Sequence, residues 1–218
     1  MSKIFENVLK VYSKAVDNHH NPEFVGYGNP DSEILIIGQE ATHKEGDADW
    51  KKFYTPNCEQ WQKTLKEGYS AKMWDGIGEY KFPEYFNPRF PFRDQLYKIQ
   101  KRDKDGKPLG DTSQGIGVSA TWYWYQTIID AVYPHQGQYI DFFDHCFITE
   151  LSNLTRPHSS NASKKEREER DMSIGKRFDL MKQTSDFWSH FKIVIFACGH
   201  YADALINELS NFIISKKD

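Results

Sequence analysis

Cysteine is scarce in this 218-residue chain: Cys58, Cys146 and Cys198 stand far apart and form no C-x-x-C pair. That spacing argues against a disulfide framework and against a cysteine-rich metal site, so no metal is expected. Long uncharged apolar runs are missing as well, and with a mean hydropathy of −0.72 the composition excludes a membrane span. The first twenty residues mix Lys, Glu and Asp into their apolar pattern, unlike a secretory signal, so a cytoplasmic location is expected. There is no excess of positive charge. With 28 Lys+Arg against 31 Asp+Glu, the net charge of −3 excludes a strongly basic nucleic-acid coat and leaves room only for a local basic groove. Neither G-x-x-x-x-G-K-[ST] nor G-x-G-x-x-G occurs, which removes P-loop and dinucleotide readings. A Ser-based nucleophile elbow is also absent, which counts against a small-molecule α/β hydrolase. No repeat and no Gly/Ser-rich linker divides the chain, so residues 1–218 are read as one domain and a monomer.

What is present is aromatic and periodic. Residues 4 to 16 place Ile4, Phe5, Val8, Leu9, Tyr12, Ala15 and Val16 at helical spacing. A loop rich in Gly, Pro and Asn then leads into a continuous apolar run from Glu33 to Gly38, the pattern of a strand buried in a parallel sheet. Residues 44–118 read as a long insertion, with a helix from Trp50 to Lys66 and a hairpin signal at Asp105-Gly106. Ser119 is placed to cap a helix that carries Trp122, Tyr123, Trp124 and Tyr125 and stops at Pro134. Four successive aromatics on a helix point all around it, so part of the set belongs to the core. A second strand spans His145 to Glu150, a long charged helix Lys164 to Trp188, a third strand Lys192 to Ala197, and a last helix Tyr201 to Ile213. Buried strands alternating with helices predict an α/β fold, a three-layer sandwich around a mainly parallel central sheet.

In such sheets, sites lie at the carboxyl ends of the strands. Three segments qualify. The first strand ends in Gly38-Gln39-Glu40-Ala41-Thr42-His43: the glycine permits close approach to the backbone, Glu40 offers a carboxylate, and His43 a phosphate contact. The second ends in Thr149-Glu150 and continues through Asn153, Arg156 and His158, groups able to read a ring edge or meet a phosphate. The third reaches Cys198-Gly199-His200; Cys198 is read as core rather than as a nucleophile.

In their order and spacing the three strand ends resemble the uracil-DNA glycosylase superfamily. Gly38-Gln-Glu-Ala-Thr-His43 is similar to that family's water-activating motif, Gly-Gln-Asp-Pro-Tyr-His. Thr149-Glu-Leu-Ser-Asn-Leu-Thr-Arg-Pro157 resembles the Thr-Asn…Arg-Pro segment of its thermostable branch, and Ile193 to Ala202 resembles that branch's third strand. The resemblance covers roughly residues 33 to 43 and 119 to 213. It implies a fold that receives a nucleotide flipped out of DNA. Glu40 would be the catalytic carboxylate that orients water or stabilises the sugar cation. Gly38, Gln39, Thr42, Glu150 and Asn153 would line the base and sugar, and His43, Arg156 and His158 would contact phosphate. Thr42 stands where the classical enzymes carry the aromatic that excludes thymine. Glu150 stands where they carry the base-reading Asn, and an ionised carboxylate only accepts hydrogen bonds, which argues against uracil itself. The branch's iron–sulfur cluster needs four cysteines, so no cofactor is expected. The family's late His-Pro-Ser loop has no counterpart, because no His-Pro dipeptide occurs.

Two functions follow as expectations. One is hydrolysis of the N-glycosidic bond of a flipped uracil or deaminated base, with DNA or a nucleotide-like ligand as partner. The other is a catalytically inactive module on the same fold that binds nucleic acid or a nucleotide. The near-neutral charge confines DNA contacts to a short rim such as Lys98 to Lys107, His43 and Arg156.

Overall fold

A computed structural model of the chain describes residues 3–12, 14, 25–40, 42–43, 96–105, 107–111, 113, 117–134, 137, 139–152, 154, 156–157, 163–199 and 208. The helices expected at 50–66 and 201–213, and most of the expected insertion, lie outside these residues.

The apolar run after Glu33 forms β2 (Ile34–Gly38), every residue of which is buried. It follows α1 (Lys3–Tyr12) and the two-residue β1 (Tyr27–Gly28). The short strands β3 (Thr42–His43), β4 (Leu96–Ile99) and β5 (Gly117–Val118) precede α2 (Ala120–Asp130) and α3 (Phe142–His145). Then come β6 (Cys146–Glu150), β7 (Arg156–Pro157), α4 (Lys164–Gln183), α5 (Ser185–Trp188) and β8 (Ile193–Phe196). The main sheet has the order β1-β6-β2-β8. β2 pairs in parallel with β6 and with β8, Ile34 standing opposite both Cys146 and Ile193. β1 is the antiparallel edge, Tyr27 opposite Ile148. The fold is therefore α/β with a mainly parallel sheet.

Strand alternation divides the core in two. Leu35, Ile37, Phe147 and Val194 face α1, α4 and α5, packing with Phe5, Val8, Met181, Phe187 and Trp188. Ile34, Ile36, Cys146 and Ile148 face α2 and α3, packing with Tyr125, Ile129, Phe142 and Phe143. Complete burial of residues such as Phe147 and Trp188 contributes roughly 1.5–3 kcal/mol apiece. The aromatic run of α2 is partitioned as its helical phase demands: Tyr125 is buried, Trp122 stacks on Phe142, Tyr123 stacks on Tyr97, and Trp124 is exposed.

The ends of the elements follow local chemistry. Ser119 caps α2 by accepting from the Trp122 amide at 3.4 Å. Ser163 and Glu166 close a capping box on α4, the serine hydroxyl accepting at 3.2 Å and the glutamate accepting from the Ser163 amide at 2.7 Å. The helix expected to run unbroken to Trp188 is interrupted at Thr184. Its amide still donates to the Leu180 carbonyl (3.1 Å), and its hydroxyl adds a second bond to that carbonyl (2.7 Å) while accepting from the Trp188 indole (3.0 Å). The Asp105 turn is a hairpin: Arg102 bridges Pro108, and the Asp103 carboxylate accepts from the amides of Asp105 (2.9 Å) and Lys107 (2.8 Å). Among the described residues, no helix is long and apolar enough to cross a membrane.

Candidate functional site

Because β2, β6 and β8 are parallel and in register, Gly38, Glu150 and Phe196 reach the same edge of the sheet. The pairing does not stop there. The Leu151 amide donates to the Gly38 carbonyl (3.0 Å), and the Ser152 amide to the Gln39 carbonyl (3.1 Å). A few residues on, the two segments meet again as β3 and β7, with Thr42 opposite Arg156 and His43 opposite Pro157. The segments 38–43 and 150–157 thus leave the sheet side by side, held by backbone bonds at both ends. Of the nine residues expected at the site, Gly38, Gln39, Glu40 and Glu150 are gathered on these two segments, together with the backbones of Thr42, His43 and Arg156. Asn153 and His158 lie outside the described residues.

Gly38 was expected to leave room for a ligand. The structure fills that room with protein: a Cβ at Gly38 would overlap the Glu150 carboxyl, its Cδ being only 3.0 Å away. The glycine is a notch for a side chain of the neighbouring strand, because residues directly opposite on adjacent strands share a face.

Glu150 therefore projects onto the face covered by α2. There it interacts with Glu40, both of whose carboxylate oxygens are shut from solvent. Burial drives the Glu150 carboxyl up to about 8; Arg177 opposes the shift and Glu40 reinforces it. At neutral pH Glu150 is thus a neutral acid, with one O–H donor and one C=O acceptor. The expectation of an acceptor-only carboxylate is corrected on this point. Two further groups sense the same charge. Burial, then Glu150, push the Tyr125 hydroxyl up, and the same two causes act on the Cys198 thiol. A thiol held in its protonated form is a poor nucleophile, and Cys198 is 1% exposed, so it belongs to the core.

No protein-family model, no curated protein and no solved structure matches the chain. The chemistry has to be read from the arrangement itself. Two carboxyl groups thus stand on adjacent strand ends, and burial together with Glu40 raises that of Glu150. Among the described residues, no group of three or more His, Cys, Asp and Glu side chains is placed to hold a metal ion.

One contributor escaped the sequence reading. Arg177, fully buried on α4, donates from Nε to the Glu150 carbonyl (2.6 Å) and from Nη2 to the Val25 carbonyl (2.7 Å) and the Thr149 hydroxyl. Thr149 in turn donates to the Val25 carbonyl at 2.6 Å. The signal was present as a phase: Ser173, Arg177, Phe178, Leu180, Met181 and Thr184 are buried and recur at helical spacing. An arginine in that stripe has to be paired. The charged residues Lys164 to Asp171 at the start of the same helix mask this stripe in the sequence.

Proposed function

We propose that the chain is a divergent DNA glycosylase-like protein, built as a three-layer sandwich of the uracil-DNA glycosylase kind, that hydrolyses the N-glycosidic bond of a flipped base. The observation that carries this reading is the placement of Glu40 and Glu150 on adjacent, backbone-paired strand ends at the carboxyl edge of the sheet. Glu40 supplies the carboxylate that orients the attacking water and stabilises the positive charge developing on the sugar. Glu150, neutral, offers a donor and an acceptor side by side. That pair matches the C=O and N–H edge of uracil or hypoxanthine, as an amide would. The Asn-to-Glu difference from the family pattern is then compatible with such bases rather than opposed to them. Gly38 seats the Glu150 carboxyl, and Gln39, Thr42 and Asn153 line the base and sugar. His43, Arg156 and His158 contact phosphate, and the exposed lysines of the 98–107 hairpin extend the DNA-facing rim. The protein acts as a cytoplasmic monomer without a cofactor.

The test is release of free base from single- and double-stranded oligonucleotides carrying uracil, hypoxanthine or xanthine. Glu40→Gln is expected to lower the rate by about 100-fold or more, the scale of a lost general-base or electrostatic contribution. Absence of release from every substrate would sink the proposal. DNA binding that falls steeply with salt, without turnover and unchanged by Glu40→Gln, would identify a non-catalytic binding module instead.

A further inference from the structure

We propose that Arg177 is a positioning residue for the candidate site, acting through Glu150 from the opposite face of the sheet and setting a buried positive charge against the Glu40–Glu150 pair. The proposal rests on the reading of Glu150 as a site residue, but its geometry stands by itself. The Arg177 guanidinium binds the Glu150 carbonyl, the Thr149 hydroxyl and the Val25 carbonyl, so it fixes the last two residues of β6 and ties them to the segment before β1. It lies over the ring of the buried Tyr12, 5.7 Å from its centroid, so α1 also braces it. Alternation turns the Thr149 side chain toward Arg177 and sends the Glu150 side chain through to the other face, into the notch left by Gly38. A cation bound to the main chain of Glu150 can therefore hold the carboxyl in place without forming a salt bridge that would hide it from a ligand.

The charged and titratable groups coupled to Glu150 come from every element around it: Glu40 after β2 and Tyr125 from α2, with Arg177 from α4 and Cys198 after β8 on the opposite face. Of these, Arg177 favours the ionised form and Glu40 opposes it. A residue that merely satisfied buried carbonyls would affect folding and nothing else. One that also positions and tunes Glu150 must move its titration when the charge is removed.

The measurement is the pH titration of the Glu150 side-chain carboxyl carbon by NMR in the full chain, assigned with Glu150→Gln. The wild-type midpoint is expected near 8. Arg177→Gln is expected to raise it by about one pH unit or more, the usual reach of a nearby opposite charge. Arg177→Lys, which keeps the charge and loses the fork, is expected to stay within about half a unit while melting earlier. Glu40→Gln is expected to lower the midpoint. A midpoint unmoved in a folded Arg177→Gln variant overturns the proposal. Should that variant not fold, Arg177→Lys decides, because a midpoint raised by a full unit there overturns it equally. Collapse of both variants would assign Arg177 to folding alone. None of these readouts requires base release, so the proposal can fail while the glycosylase reading survives, and the reverse.

Discussion

Replacing Glu150 by glutamine separates the charge of this residue from its shape. In the fold the carboxyl is pushed up to about 8, against an ordinary value of 4.5. The folded state therefore keeps a proton that the unfolded chain has released over that window. The stability associated with the proton is fully present below about 4.5, falls as pH rises, and is gone above about 8. The slope is about 1.4 kcal/mol for each pH unit, so the whole window is worth roughly 4 to 5 kcal/mol. That is a large fraction of the 5–15 kcal/mol typical of a domain. Glutamine fills the notch over Gly38 with an uncharged side chain of the same length and cannot lose a proton. Urea unfolding of both proteins at a series of pH values from 4 to 9 measures the difference directly, and subtraction cancels groups common to both. The variant should gain on the wild type steadily through the window and plateau above it. Parallel pH profiles would refute the neutral-acid assignment, and with it the reading of Glu150 as both donor and acceptor. Under the proposed function, base release by the wild type should also fall above pH 8 while that of a folded Glu150→Gln variant persists.

Gly38→Ala would drive a methyl group into the Glu150 carboxyl, whose Cδ and Oε1 lie 3.0 and 3.1 Å from the added carbon. A loss of about 1–3 kcal/mol in urea unfolding is expected from this overpacking, and a neutral result would mean that the carboxyl does not occupy the notch. Gln126, fully buried on α2, donates to Asp130 (2.6 Å) and Asp141 (2.8 Å), and accepts from the amides of Asp141 (2.9 Å) and Phe142 (2.8 Å). Gln126→Leu leaves those two amides without their acceptor and should cost about 2–4 kcal/mol in thermal or urea unfolding. A variant as stable as the wild type would show that another acceptor is at hand.

The central strands and the long helices were legible because burial writes itself as pattern. Ile34 to Gly38 is apolar without interruption, and a strand covered on both faces needs that. Ser119 and Ser163 announce their helices by side-chain chemistry at fixed offsets. What stayed hidden was short or tertiary. β1 is two residues in a Gly-rich stretch and becomes a strand only by pairing with β6. Gly28 holds φ at 83° there, where a Cβ would run into the Cys146 carbonyl. Phe142 to His145 is a single helical turn, too short to show a period. At the break, the Thr184 hydroxyl accepts from an indole four residues later, a partner that local pattern does not announce.

The site divides along the same line. That the segments after Gly38 and Glu150 would lie together follows from topology, since parallel neighbours deliver their carboxyl ends to one edge. The state of Glu150 follows from nothing local. In sequence it is a carboxylate standing where an amide is expected, and residue type alone makes that a loss of donor capacity. Its environment is assembled from four separate stretches: Gly38 supplies the notch and Glu40 the repulsion, Tyr125 lies on the covering helix, Cys198 follows β8, and Arg177 supplies the opposing charge. Burial and Glu40 outweigh Arg177, keep the proton in place and restore the donor that the substitution removes on residue type alone. Residue identity at a site therefore predicts chemistry only once the groups that set its protonation are known. Here the one that opposes the proton, Arg177, lies 27 positions away on the other face of the sheet.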